Sequence, residues 1–186
     1  MKKIILAAAL MLGLSTTAFA QQYYVEGFGG ATFAPDLEYG CCEFEMDNGF
    51  NVGGSFGTNV NGFDVEGEIF YSRSDYADYD TNINGLALMV NVLYGFPIAN
   101  TVEGYVGGGI GGVKVEYDGE NDFPSFTGDD WVFGWQLIGG VMYPLANNVS
   151  LFGEYRYQQA SDADIQGVSN VEYRGHHLSI GVRAAF

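Results

Sequence analysis

Positive charge is scarce in this chain. Seven lysines and arginines stand against 23 aspartates and glutamates, for a formal net charge of −16. That balance argues against nucleic acid as a partner, because binding its phosphates needs a basic face. No apolar run reaches the ~18 residues of a membrane-spanning helix, and no stretch reads as an amphipathic one. Cysteine is confined to the adjacent Cys41 and Cys42. They have neither the spacing of metal ligands nor that of a CxxC redox motif. What is abundant is glycine, at 28 residues, with 13 tyrosines, 14 phenylalanines and 47% hydrophobic residues overall. A disordered acidic tail would lack those aromatics. With 186 residues there is room for one domain. The remaining options are a soluble β-protein and a barrel whose apolar residues are hidden by alternation.

The N-terminus has the three parts of a secretory signal peptide. Lys2 and Lys3 precede an apolar run from Ile4 to Leu14, and the segment closes on Ala18-Phe19-Ala20. We expect residues 1–20 to be removed and residues 21–186 to form the domain. Loss of Lys2 and Lys3 takes the formal charge from −16 to −18.

Beyond it, apolar and polar residues alternate with a period of two, the strand signature. Val65, Gly67, Ile69 and Tyr71 oppose Asp64, Glu66, Glu68 and Phe70. Leu178, Ile180, Val182, Ala184 and Phe186 oppose His177, Ser179, Gly181, Arg183 and Ala185. Eight such segments are expected, near 23–33, 49–58, 63–73, 82–96, 101–116, 130–143, 149–160 and 172–186. Their connections alternate. Asn59–Gly62, Pro97–Asn100 and Pro144–Asn148 are short turns, whereas 34–48, 74–81, 117–129 and 161–171 are longer. Short turns on one rim and long loops on the other describe an up-and-down transmembrane barrel. The faces agree with that choice. One carries Leu, Val, Ile and aromatics, with Tyr94/Phe96, Trp131/Phe133, Tyr143 and Phe186 near strand ends as lipid-interface girdles. The other carries glycines, Asn91, Gln136, Glu154, Arg156 and Arg183.

The signal peptide, the eight strands and the ending Gly181-Val182-Arg183-Ala184-Ala185-Phe186 resemble the small outer-membrane β-barrel family. That family includes the outer-membrane-protein-A-type transmembrane domains and the opacity-type surface antigens of Gram-negative bacteria. Val102–Gly111 and Glu154-Tyr155-Arg156-Tyr157 are similar to its fifth and seventh strands. The resemblance implies an all-β, eight-stranded antiparallel up-and-down barrel, integral to the outer membrane, with loops facing the cell exterior. It implies that the terminal Phe186 is the assembly signal read by the barrel insertion machinery. We expect no peptidoglycan-binding domain after Phe186, so cell-wall tethering is not carried over.

Eight strands enclose a lumen that side chains fill, which disfavours a large pore. Inward glycines such as Gly107, Gly109 and Gly111 are expected to leave small wet pockets. Alternation points Glu26, Asp64, Glu66, Glu68, Glu103 and Glu154 inward, with only Arg156 and Arg183 as bases. Counting from the strand ends makes Glu26–Arg183 the best pair. Arg156 is expected to meet Glu154, Glu66 or Glu68. The surplus acids then need a proton, rim water, or a donor such as Tyr24, Tyr105 or Gln136.

A nucleophile–base pair of His177 and Ser179, similar to the His-x-Ser of lipid A deacylases, is the one enzymatic candidate. No acid follows in the last seven residues, and two polar lumen residues are the simpler reading. We therefore expect no enzyme and no cofactor. The loop acids (among them Asp36, Glu38, Asp78, Asp80, Asp122, Asp129 and Asp162) are a solvated rim that offers oxygen ligands to divalent cations. The expected partners are outer-membrane lipid, lipopolysaccharide and the insertion machinery, with the protein a monomer. A structural or surface-exposed role leads; an adhesin or host-factor receptor acting through the loops is the alternative, and a lipid-A-modifying enzyme comes third.

Overall fold

The computed structural model describes residues 23–33, 37–39, 42–44, 49–75, 81–119, 127–165 and 168–186, with side chains described for 23–33, 49–74, 84–114, 131–161 and 174–186. The signal segment 1–20, Cys41 and much of the acidic connections, with the cation ligands expected there, lie outside the described residues.

Among the described residues there are ten strands: β1 (Tyr23–Phe33), β2 (Leu37–Tyr39), β3 (Cys42–Phe44), β4 (Gly49–Val60), β5 (Phe63–Asp75), β6 (Thr81–Ala99), β7 (Val102–Gly119), β8 (Thr127–Ala146), β9 (Val149–Ile165) and β10 (Val168–Ala185). Eight of them close an antiparallel barrel in the order β1-β10-β9-β8-β7-β6-β5-β4. The small β2–β3 hairpin, which the sequence reading missed, lies within the β1–β4 connection. Barrel neighbours are otherwise consecutive in sequence, and β1 joins β10 to close the ring, from Tyr24↔Ala185 to Phe33↔His176. The seam is fastened at the chain end by Tyr23 N donating to Phe186 O (3.2 Å) and Phe186 N to Tyr23 O (2.8 Å). The Tyr23 ring stacks on both Phe56 and Phe186.

Tyr23, Phe186 and the three short turns lie on one rim, the turn end; the strand ends that lead into the longer connections lie on the other, the loop end. Between β4 and β5 the turn is made by Asn61 at φ 55° and Gly62 at φ 87°. Two successive positive φ values are the requirement of a type I′ hairpin turn, whose twist matches the flanking strands. The β6–β7 and β8–β9 registers slip at Pro97/Ala99 and Pro144/Ala146. Prolines cannot donate to a ladder, so they sit at these irregular strand ends.

At the loop end the strands run past their expected limits. The connection expected at 161–171 is almost all strand, since β9 continues to Ile165 and β10 starts at Val168. Likewise β7 reaches Gly119 and β8 begins at Thr127. These extensions are rich in Asp and Gly, poor strand formers by composition, but each extended strand continues its ladder with a paired neighbour.

Alternation places Val52, Ile69, Val90, Ile110, Leu137 and Ile180 outward, exposed to what surrounds the barrel. Tyr94, Phe96, Tyr143 and Phe186 ring the turn end, and Phe50, Trp131 and Phe133 the loop end. The opposite faces converge on a filled lumen.

Candidate functional site: the charged lumen

Each strand that supplies a charge to the lumen does so through its inward residues. On β5 these are Asp64, Glu66 and Glu68; on β9, Glu154 and Arg156; on β10, Arg183; on β1, Glu26. The result is two guanidinium-centred clusters stacked along the barrel axis.

The lower cluster lies near the turn end. Glu26 and Arg183 face each other in the β1–β10 register, and Arg183 Nε donates to Glu26 Oε1 at 2.6 Å. Arg183 Nη1 donates to Asp64 Oδ2 at 2.6 Å across the lumen, and its guanidinium lies 3.9 Å from the Tyr24 ring centroid. Ser55 Oγ donates to the second Glu26 oxygen at 2.6 Å.

The upper cluster occupies the middle of the barrel. Arg156 is only 2% exposed. It forms a two-pronged bond to Glu68, Nη1 to Oε1 at 2.6 Å and Nη2 to Oε2 at 2.7 Å, and Nη2 also reaches Glu154 Oε1 at 2.7 Å. This fork geometry is what a guanidinium offers a carboxylate and an ammonium cannot. Two rings pack against it, with the guanidinium carbon 4.6 Å from the Phe70 centroid and 5.2 Å from that of Phe28.

Neutral donors complete the network. Tyr24 donates to Glu66 (3.1 Å), Tyr105 to Glu154 (3.1 Å), and Gln136 to Glu68 (3.1 Å) and Asn91 (2.7 Å). Asn91 in turn donates to Glu66 at 2.9 Å and Glu68 at 3.2 Å. Glu66 thereby links the two clusters through Tyr24, Ser55 and Asn91 and does not contact Arg156 by hydrogen bond. Buried carboxylates are tolerated when such donors replace their water.

Glu103 departs from the expected cluster. It is exposed at the turn-end rim, one residue into β7, and its carboxylate leans over Gly95, where a Cβ would collide with it. Alternation puts it on the inner face, but its position next to the turn leaves it in solvent. The expected wet pockets at Gly107, Gly109 and Gly111 are corrected as well. Leu93, Asn91 and Met89 of the neighbouring β6 lie where the missing side chains would stand.

Sequence reasoning gave no role to the phenylalanines of the lumen. Phe28, Phe70 and Phe152 pack together there, with Phe28 centred 6.3 Å from Phe70 and 6.2 Å from Phe152. Glycines make the socket: a Cβ on Gly53 would come within 2.5 Å of the Phe28 ring, and one on Gly181 within 2.6 Å of Phe28 Cβ. Above them His177 Nδ1 meets Thr32 Oγ1 at 3.0 Å, while Ser179 Oγ donates to Asn51 Oδ1 at 2.7 Å. The two residues of the candidate nucleophile–base pair are thus buried, each bonded to a different strand.

Residues 5–186 match the outer membrane protein beta-barrel domain. The chain belongs to that family. It is an integral outer-membrane barrel. Among solved structures it is similar to Neisserial surface protein A (20% identity, TM-score 0.63), covering 92% of this chain and 100% of that one. A major outer membrane protein from Thermus thermophilus is 17% identical at TM-score 0.59, over 90% of this chain and 100% of its own. Ail, the attachment invasion locus protein of Yersinia pestis, is 15% identical at TM-score 0.51, over 89% and 98%. At these identities the likeness speaks to the fold alone. No curated protein matches the sequence significantly.

Proposed function

We propose that the protein is a monomeric structural barrel of the outer membrane, closed to solutes, that presents its acidic connections at the cell exterior after removal of residues 1–20. The observation that supports this reading is the middle of the lumen, where Arg156, Glu68, Glu154 and Gln136 are buried among Phe28, Phe70 and Phe152. An eight-stranded barrel has no width left once such side chains fill it. Planar-bilayer recordings of the purified monomer are expected to show little or no conductance. Stable openings on the nanosiemens scale contradict the reading.

Assembly is proposed to depend on the insertion machinery reading Phe186, which is 69% exposed on the outer wall. Phe186→Ser is expected to lower the amount of barrel in the outer membrane; unchanged levels would refute the role. No catalysis is assigned, since His177 and Ser179 are each engaged elsewhere.

An adhesin reading is favoured by strand length. A barrel strand crosses a bilayer in ~9–11 residues, whereas β6, β7 and β8 have 19, 18 and 20. The surplus lifts the acidic connections away from the membrane as a platform for a ligand. A structure of Ail holds the heparin analogue sucrose octasulfate. A chain whose net charge goes from −16 to −18 on losing Lys2 and Lys3 is the wrong partner for such a polyanion, so a loop ligand here is cationic or neutral. Binding to host surfaces by the whole protein but not by a loop-shortened one supports the adhesin; equal binding by both removes it.

A further inference from the structure

One stretch of the outer wall sets open glycines beside an apolar hollow. On β8, β9 and β10 the outward positions Gly139 and Gly153 have no atom within 4 Å of where a Cβ would stand. A groove of about 820 Å³ runs over them, walled by Leu151, Tyr155, Leu178 and Ile180. Its lining is almost wholly apolar, which suits a hydrocarbon chain.

Toward the loop end the same three strands change chemistry. Continuing outward along β10 from Leu178 come His176 and Arg174, each step ~7 Å along the strand. Beside them on β9 stands Tyr157, with Trp135 on β8. Tyr155 Oη and His176 Nδ1 are hydrogen-bonded at 2.6 Å, Tyr157 packs on His176 at 5.1 Å between centroids, and Trp135 on Tyr157 at 5.6 Å. Arg174 is exposed and pairs in register with Gln159. After residues 1–20 leave, only Arg73, Lys114, Arg156, Arg174 and Arg183 are basic, and two of these are locked in the lumen. A base two outward positions, about 14 Å, beyond the groove along β10 is, in so acidic a chain, complementary to an anionic headgroup whose tail lies below.

We propose that the β8–β10 wall is a binding site for one phosphorylated, acylated glycolipid of the outer leaflet. An acyl chain lies in the Gly139/Gly153 groove, the sugar lies against the Trp135–Tyr157–His176 rings, and Arg174 and His176 take the phosphate. The site uses the lipid wall and leaves the lumen and the loops to their proposed roles. A lipid found here therefore does not depend on whether the barrel conducts or adheres.

Native mass spectrometry of the detergent-folded barrel with added lipid A tests the site, folding of each variant being checked by its heat-dependent migration. One lipid A is expected to remain on the wild type. Arg174→Gln/His176→Ala and, independently, Gly153→Leu are each expected to lower its retention roughly tenfold, about 1.4 kcal/mol. Gly67→Leu, at an equally open outward glycine on β5, is expected to leave it unchanged, and glucosamine phosphate without acyl chains is expected not to displace it. Equal retention by all variants, an equal loss in Gly67→Leu, or displacement by the bare headgroup overturns the proposal.

Discussion

The two arginines of the lumen have the same task in different surroundings. Arg183 holds Glu26 and Asp64 near the turn end, where its side chain is 14% exposed and that of Asp64 is 22% exposed. Arg156 holds Glu68 and Glu154 at mid-barrel, where the guanidinium and Glu68 are 2% and 1% exposed. In the lower cluster water is within reach of Asp64, whereas Glu26 is as buried as Glu154, each at 7%. In the upper one Glu68 has no such access, and Phe28 and Phe70 cover the guanidinium. Equal geometry should therefore carry unequal energetic consequences. A buried pair is weak evidence of net stabilisation, but breaking it by removing one partner is severe.

Urea unfolding from detergent sets the scale of this difference. Arg156→Leu leaves Glu68 and Glu154 uncompensated and is expected to cost about 3–5 kcal/mol. Adding Glu68→Met and Glu154→Met should recover most of that loss, since apolar side chains of similar size replace a buried ionic group at little cost. If the triple variant is as unstable as Arg156→Leu alone, the loss comes from packing and the electrostatic distinction fails.

Arg183→Leu is expected to cost less, about 1–3 kcal/mol, because rim water solvates the Asp64 it abandons. In combination with Glu26→Gln the effects should be non-additive, with a coupling of about 0.5–3 kcal/mol. A double variant equal to the sum of its singles means that the pair contributes nothing.

The smallest effect belongs to the turn below both clusters. Gly62→Val forces a β-branched residue to φ 87° and is expected to cost about 1–2 kcal/mol. Because the turn shares no partner with Arg156, Gly62→Val and Arg156→Leu should add to within about 0.5 kcal/mol. A larger departure shows that the rim and the middle do not behave as separate regions.

The lower cluster was more legible in the sequence than the upper one, and the reason is geometric. Glu26 and Arg183 lie on strands that must adjoin for the barrel to close, and each is a few residues from a chain end, so counting alone aligns them. Arg156 and Glu68 lie on β9 and β5, which are not neighbours. Their contact depends on the curvature of the wall, which no period-two pattern encodes. Glu66 has the same parity as Glu68 but turns to Tyr24, Ser55 and Asn91. Alternation placed Phe70 on the charged face but gave no hint that it and Phe152 pack there around Phe28. The available signal was glycine at facing inward positions, Gly53 and Gly181, which marks where a neighbouring ring needs room. Glu103 shows the converse limit: parity gives the face of a residue but not its depth.

The central claim is that a buried, self-contained ion network holds the barrel closed at its middle. Two double-mutant cycles run side by side in urea, Arg156→Leu with Glu68→Gln and Arg183→Leu with Glu26→Gln, test it most directly. The account predicts a clearly larger coupling energy for Arg156–Glu68 than for Arg183–Glu26. Equal couplings, or a larger one at the rim, would contradict it.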